Sequence, residues 1–272
     1  MKENLRRLVS YRELLYNLVL KEVKVKYKNS VLGFLWSMVN PIMMLAVYYV
    51  AFGIIFKLRA LGMTRYEFFL LSGILPWNFF SLSLIQSVSS VVNNADLVKK
   101  VYFPREVLPL SYLGAASFHF LLQELVLLFF LLVFRVRLTP WIFAFPLVML
   151  LEMVFIAGLS LYLASFNVYF RDVQHFTEIL LLAWFWMTPI VYPISFIRDN
   201  FPLWAQRIYL LNPMAHVALL WQRVTYNSPA NGPQAAYFSA AGLLYTVLLS
   251  VFLLVSGYYL FTRMEGRFAE FI

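Results

Sequence analysis

The sequence predicts an all-α membrane protein: six transmembrane helices with both termini in the cytoplasm, an N-terminal amphipathic interface helix, and a short outer re-entrant helical hairpin. Three observations carry this expectation. Hydrophobic residues make up 62% of the 272-residue chain and charged residues only 13%, against about 25% charged in soluble domains. A water-soluble fold of this size could not bury so much apolar surface, so the bilayer is the expected solvent. Apolar runs long enough to cross about 30 Å of hydrocarbon recur six times. The formal net charge of +9 is gathered at the ends of those runs, and eight basic residues stand before Ser30 (Lys2, Arg6, Arg7, Arg12, Lys21, Lys24, Lys26, Lys28). That placement suits an anionic membrane leaflet rather than a nucleic acid.

Residues 1–30 form the cytoplasmic interface segment. They are too charged to hold the apolar core of a cleavable signal peptide. Ser10-Tyr-Arg-Glu13 reads as a capping box, so a helix is expected to start there. Leu14, Leu15, Leu18 and Val19 form its apolar stripe, and Lys21, Lys24 and Lys28 share another face. The alternation in EVKVKYK (22–28) also fits a short strand. A lone strand beside a bilayer leaves its backbone unpaired, which favours an interfacial helix with lysines snorkelling toward headgroups.

Residues 31–272 form the transmembrane domain, with spans expected at 31–56, 68–92, 107–134, 141–166, 176–192 and 238–261. Six crossings put both termini on one side. With the N-terminus inside, fourteen Lys and Arg fall in the cytoplasm and eight outside, as the positive-inside rule requires. At about 1.5 Å per residue the first run exceeds the hydrocarbon, and Asn40-Pro41 marks an expected bend. Pro76, Pro109, Pro146 and Pro189 are expected to interrupt other spans. Between the last two spans, 193–237 holds LWAQRIYLL (203–211) and MAHVALLWQRVTY (214–226), split by Asn212-Pro213. Both pieces are too short to cross. They read as an outer hairpin that either gates an exit, with Trp204, Tyr209, Met214 and Trp221 as gate candidates, or lies on the surface as two plain helices.

Catalytic patterns are absent. The chain has no phosphate-binding G-x-x-x-x-G-K-[ST] loop, no H-E-x-x-H and no G-x-S-x-G. With no cysteine it has neither a disulfide nor a thiolate metal site, and three histidines alone do not make a zinc site. No bound cofactor is expected, and any ATP hydrolysis must come from another chain. Glu124 and Glu152 lie deep in the third and fourth spans, where an ionised carboxylate costs several kcal/mol (roughly 2.5–3.5 on insertion scales). They read as protonated interhelix donors, with His119 and Gln123 as neighbours, or as part of a hydrated path. Ser83, Ser87, Ser90 and Asn94 share one face of the second span, a pattern that either binds helices together or lines a wet path. Trp36, Tyr48, Tyr49, Phe52, Trp184 and Trp186 are candidate path-liners, because aromatic faces pack on the CH faces of sugar rings. Tyr and Trp also serve simply as membrane anchors.

Five segments together resemble one family. They are KVKYKNSVLGFLWSMVNPIMML (24–45), LVKKVYFPREVLPLS (97–111), NVYFRDVQHF (167–176), MTPIVYP (187–193) and LNPM (211–214). In this order, and covering almost the whole chain, they are similar to the membrane subunit of ABC-2 type polysaccharide exporters, the O-antigen, capsular polysaccharide and teichoic acid permeases. The resemblance implies a homodimer in the bacterial inner membrane, two cytoplasmic ATPase subunits that hold ATP and Mg, and export of a lipid-linked polysaccharide. It also implies a coupling helix that docks on the ATPase, here in 93–106 with Asp96, Lys99, Lys100, Arg105 and Glu106. An exporter of another lipid or of a drug-like substrate shares the architecture and is the alternative.

Overall fold

The computed structural model describes residues 10–28, 36, 39, 42–43, 46–47, 49–55, 66–136, 138, 140–226 and 239–272. Half of the first expected span lies outside these residues, including Asn40, Pro41 and Tyr48, as does the far end of the hairpin at 227–237. Among the described residues every regular element is helical. The elements are α1 (Arg12–Tyr27), a π-helical turn (Tyr49–Ile55), α2 (Tyr66–Asn93), α3 (Ala95–Lys100), α4 (Val107–Val133), a 3-10 turn (Pro140–Ala144), α5 (Phe145–Tyr169) and α6 (Asp172–Trp186). After them come α7 (Ile194–Asn200), α8 (Leu203–Tyr209), α9 (Pro213–Thr225), α10 (Ala240–Met264), a 3-10 turn (Glu265–Arg267) and α11 (Phe268–Phe271).

Four stretches among the described residues are long and apolar enough to cross a membrane: Tyr66–Asn93, Val107–Val133, Pro140–Tyr169 and Ala240–Phe271. The expected span at 176–192 is different. Its helix, α6, has 15 residues and stops at Trp186. Pro189 has no amide to donate and drives the preceding Thr188 out of the α region, so 187–193 continues as irregular chain. The other prolines behave in two ways. Pro76 sits inside α2, whereas Pro109 and Pro146 lie in the first turns of α4 and α5, where the missing amide breaks no helical bond. They begin those spans instead of interrupting them.

The capping-box expectation shifts by one residue. α1 starts at Arg12 with Tyr11 in the cap position and no side-chain cap, since a phenol cannot reach back to the first-turn amides as a serine hydroxyl does. Helix, not strand, is the outcome for 22–27. Leu18 is buried while Lys21, Lys24 and Lys28 are exposed, so the stripe and the lysine face fall where the period predicts. Val19 packs on Gly114 of α4 so closely that a Cβ there would stand 2.8 Å from a Val19 methyl.

α2 is the axis. Twenty of its 28 residues are buried, as expected of a helix apolar on all sides. α4, α5, α6 and α9 pack around it, and one large cluster joins Phe69, Phe80, Phe120, Phe155, Leu181 and Trp221. The serine face of α2 turns out to be packing surface. Ser87 donates to the Pro109 carbonyl at 3.0 Å, Ser90 to Ser87 at 2.6 Å and Asn94 to Ser90 at 2.8 Å, with Ser83 buried beside them.

The closest helix pair is α5 with α10. A Cβ on Gly158 would lie 2.7 Å from the backbone of Leu253 and Leu254, and one on Gly257 would lie 2.7 Å from the Gly158 carbonyl oxygen. Small residues bring two backbones into direct contact where the bilayer gives no hydrophobic force between helices. Gly158→Leu should therefore force α5 and α10 apart, at a cost of about 1–3 kcal/mol for overpacking. Thermal unfolding of the detergent-purified protein checks this: a clear drop in Tm is expected, and an unchanged Tm excludes the close contact.

Candidate functional site

The two ends of the bundle carry different chemistry. At the hairpin end the segment 187–193 is irregular, and its middle is buried, with Thr188 and Ile190 fully enclosed and Val191 nearly so. Backbone carbonyls in such a place need partners, and side chains from other elements supply them. Asn212 Nδ2 donates to the Met187 carbonyl at 2.8 Å, Gln222 Nε2 to that of Pro189 at 2.6 Å and the Tyr66 hydroxyl to that of Val191 at 2.5 Å. The Tyr192 hydroxyl turns back to Trp186 at 2.6 Å. Gly73 lets the segment lie against α2, because a Cβ there would come within 3.2 Å of Ile190.

Asn212 does more than satisfy Met187. Its Oδ1 accepts from the Met214 amide at 3.0 Å, which caps α9, and from Trp184 Nε1 at 2.7 Å. Its amide also reaches Thr188 Oγ1 at 3.2 Å. One side chain thus joins α6, the broken segment and α9. Pro213 at the first position of α9 fits the same start, since its absent amide is not missed there.

The two halves of the hairpin differ. α8 is exposed, with Trp204 67% accessible and Tyr209 half-buried, its hydroxyl 3.2 Å from that of Tyr192. Burial pushes both phenols above their ordinary range. α9 instead lies within the bundle: Met214 and Trp221 are buried, and ten of its thirteen residues are enclosed. The gate candidates therefore divide into two on the surface helix and two in the core. His216 donates to the Leu210 carbonyl at 2.8 Å and its ring covers Gly242, and burial lowers its proton affinity. Arg223 stacks 4.1 Å above the Trp141 ring, a cation–π contact near the start of the Pro140–Tyr169 stretch.

Glu152 is fully buried and its Oε2 accepts from Trp221 Nε1 at 2.7 Å. Glu124, on α4, is also buried. The sequence offered no sign of a partner for either carboxyl; α9 brings Trp221 to that of Glu152. Of the aromatic path candidates, Trp184 is partly buried and edge-on to Phe80 and Phe155. Trp186 and Trp36 are about half exposed and Tyr49 is partly buried against the core. Phe52 belongs to the π-helical turn, but its side chain lies outside the described residues, as does Tyr48.

At the opposite end α3 forms within the expected 93–106 segment. Asp96, Lys99 and Lys100 are exposed, and Lys100 pairs with Asp96 at 3.3 Å. Val101 and Tyr102 follow, 50% and 80% accessible. Arg105 and Glu106 point elsewhere. The Arg105 amide donates to Glu265 Oε2 at 3.3 Å and its guanidinium to the Glu265 backbone carbonyl. Glu106 is buried and accepts from the Tyr258 hydroxyl at 3.1 Å. Nearby, Asn167 donates to the Val88 carbonyl at 3.1 Å and accepts from the Gln174 amide at 3.2 Å, which fixes the α5–α6 turn against α2.

A family model described as ABC-2 type transporter matches residues 13–219, from α1 into α9. The chain belongs to the ABC-2 type transporter membrane family. Among its relatives, an O-antigen export system permease protein RfbA of Klebsiella pneumoniae is 32% identical over 261 residues, 96% of this chain and 95% of the relative. The protein of the same name from Myxococcus xanthus is 34% identical over 268 residues, 98% of each. The resemblance read from the five sequence segments therefore holds. As an ABC-2 protein the chain is a membrane subunit of a transporter, with four described stretches long and apolar enough to cross a membrane.

In this ABC-2 chain the sequence did not reveal Asn212 as a hub, Gln222 and Tyr66 as carbonyl partners, or Glu265 as the mate of Arg105. A signal was present for the first: Asn-Pro before an apolar helix is a cap with a proline at the first position. Asn212→Ala should lower Tm by an amount equivalent to about 1–3 kcal/mol, the loss of a cap plus a partly buried Trp184 indole N–H left unpaired. Asn212→Asp keeps the cap acceptor and loses the donor, so an intermediate Tm is expected. Equal stability of all three forms by thermal melting excludes the hub.

Proposed function

We propose that this chain is the permease subunit of an ATP-driven exporter that moves a lipid-linked polysaccharide, O-antigen-like, across the inner membrane. The observation that carries this reading is the likeness over 95% or more of both chains to permeases named for O-antigen export. Two copies of the chain pair with two ATPase subunits, which bind the ATP and Mg. The apolar faces left exposed on α4, α5 and α10, among them Leu125, Phe129, Leu147, Leu248 and Phe252, suit lipid and a second copy.

In this reading the chain crosses six times, N-in and C-in. The run at 31–56 makes the first crossing, and α6 with 187–193 makes the fifth. The bundle supports it: α1, α3, the turn at Phe170 and the end of α10 gather at one end, through Lys21–Asn94, Lys99–Ile272 and Tyr169–Met264 contacts. That end is the cytoplasmic one, and the lysine face of α1 forms its collar. The outer hairpin, 193–237, enters the bundle through α9 and bounds the exit with α8. Trp204 and Tyr209 are then the movable part of a gate, while Met214 and Trp221 are its fixed base. Trp36, Tyr48, Tyr49, Phe52, Trp184 and Trp186 are the aromatic surface for sugar rings.

α3 supplies the ATPase contact, with the exposed Asp96, Lys99 and Lys100 giving a mixed-charge polar surface. Reversing all three charges should leave insertion intact and reduce ATPase co-purification and export severalfold. Purified alone, the chain should hydrolyse no ATP, having no phosphate-binding loop. Reconstitution with its partner ATPase, followed by mass spectrometry of the exported glycolipid, tests the whole reading. Transport of a non-glycan lipid only, or turnover by the purified permease itself, overturns it.

A further inference from the structure

α3 has six residues, too few to hold a helix or an orientation by itself. Its cap, Asn94, makes no side-chain capping bond and Val98 is its one buried residue. Something else must set its position, and the contacts name it. Val98 belongs to a cluster with Phe103, Val107, Phe261 and Phe268. Phe268, in α11, is completely buried and packs edge-on to Phe261 at 5.2 Å. Glu265 engages Arg105 twice, through its carboxylate and its backbone carbonyl. Tyr258 of α10 holds Glu106, and Lys99 Nζ donates to the Ile272 carbonyl at 2.6 Å. The chain after α10 is thus folded back beneath α3 and fastened on both sides of it. Tyr169, at the end of α5, packs on Phe268 and Phe271 and donates to Met264.

We propose that Glu265 and Phe268 are positioning residues for energy coupling, fixing α3 to α10 so that a push on α3 moves α10 and α5 together. This rests on the export reading above. By sequence α3 is joined only to α2 and α4; the strut at 265–271 adds the pair locked by Gly158 and Gly257. Motion delivered to α3 then reaches all four long helices at once. Arg105 and Glu106 belong to this internal linkage and not to the ATPase-facing surface.

The test uses the complex with its ATPase in lipid, and the natural absence of cysteine. Spin labels at Lys100 and at Gly266, where a side chain meets nothing within 4 Å, report the α3-to-strut distance. A narrow distribution is expected, broadened by Phe268→Ala and narrowed again by Phe268→Leu. In unlabelled complexes Phe268→Ala should retain the ATPase and its ATP turnover while glycolipid exported per ATP falls about tenfold, a coupling loss of about 1.4 kcal/mol. If Phe268→Ala misfolds, Glu265→Ala decides, since it removes only the carboxylate contact and should give a smaller loss in the same ratio. An unbroadened distribution, or export per ATP unchanged in the well-folded variant, overturns the strut. A broadened distribution in a complex whose unmutated form exports no glycan supports the strut and overturns the export reading instead.

Discussion

The fold depends on satisfying the backbone of one short segment. Between Trp186 and Ile194 the chain is non-helical and rich in proline, and from Thr188 to Val191 it is enclosed, so each carbonyl left without a partner in that enclosed part would cost about 1–3 kcal/mol. Gln222 and Tyr66 remove that cost at Pro189 and Val191, and Asn212 ties down the exposed carbonyl of Met187 just before them. These three donors come from α2, α9 and the cap of α9. Satisfying the break therefore requires α9 to be inside the bundle and α2 to run beside it. The burial of α9, the contact at Gly73 and the position of Trp221 on Glu152 follow from the same requirement.

Apolar length was legible in the sequence because hydrophobicity is a property of each residue and sums along the chain. So α2, α4, α5 and α10 were found within a few residues of their bounds, and the amphipathic α1 was found from its period. What the sequence hid depends on partners distant in the chain. Arg105 and Glu106 looked like their exposed neighbours Lys99 and Lys100, since a charged residue in a short loop is usually solvated. Their actual partners, Glu265 and Tyr258, are 160 and 152 residues away. Glu124 and Glu152 were visible as costly residues, yet nothing in their spacing showed that α9 would bring Trp221 to one of them. Proline was read too uniformly: its effect depends on whether the preceding turn needs its amide, which separates Pro76 from Pro109 and Pro146.

Glycine placement divides the molecule into parts that can slide and parts that cannot. At Gly158 and Gly257 backbone meets backbone, so α5 and α10 have one register and no room to shift. At Gly114 the neighbour is a valine methyl, and at Gly242 a histidine ring; both contacts end in side chains able to rotate. α1 and α9, which make those contacts, are the elements whose packing tolerates adjustment, while α5 with α10 behaves as one body.

That distinction constrains how a signal crosses the bundle. The end carrying α3 is fastened to α10 through Arg105, Glu106 and Phe268, and α10 is locked to α5. α5 in turn carries Glu152, the acceptor for Trp221 of α9. A continuous path thus runs from α3 through α10 and α5 to Trp221 of α9, with backbone contact in the middle and hydrogen bonds at both ends. α8, exposed and attached through the Tyr192–Tyr209 and Gln206–Phe201 contacts, lies outside it. On the export reading, a push on α3 moves α5 and α10 as one body, and the adjustment at the other end falls to α9, whose contact at Gly242 is a side chain able to rotate, and to the exposed α8.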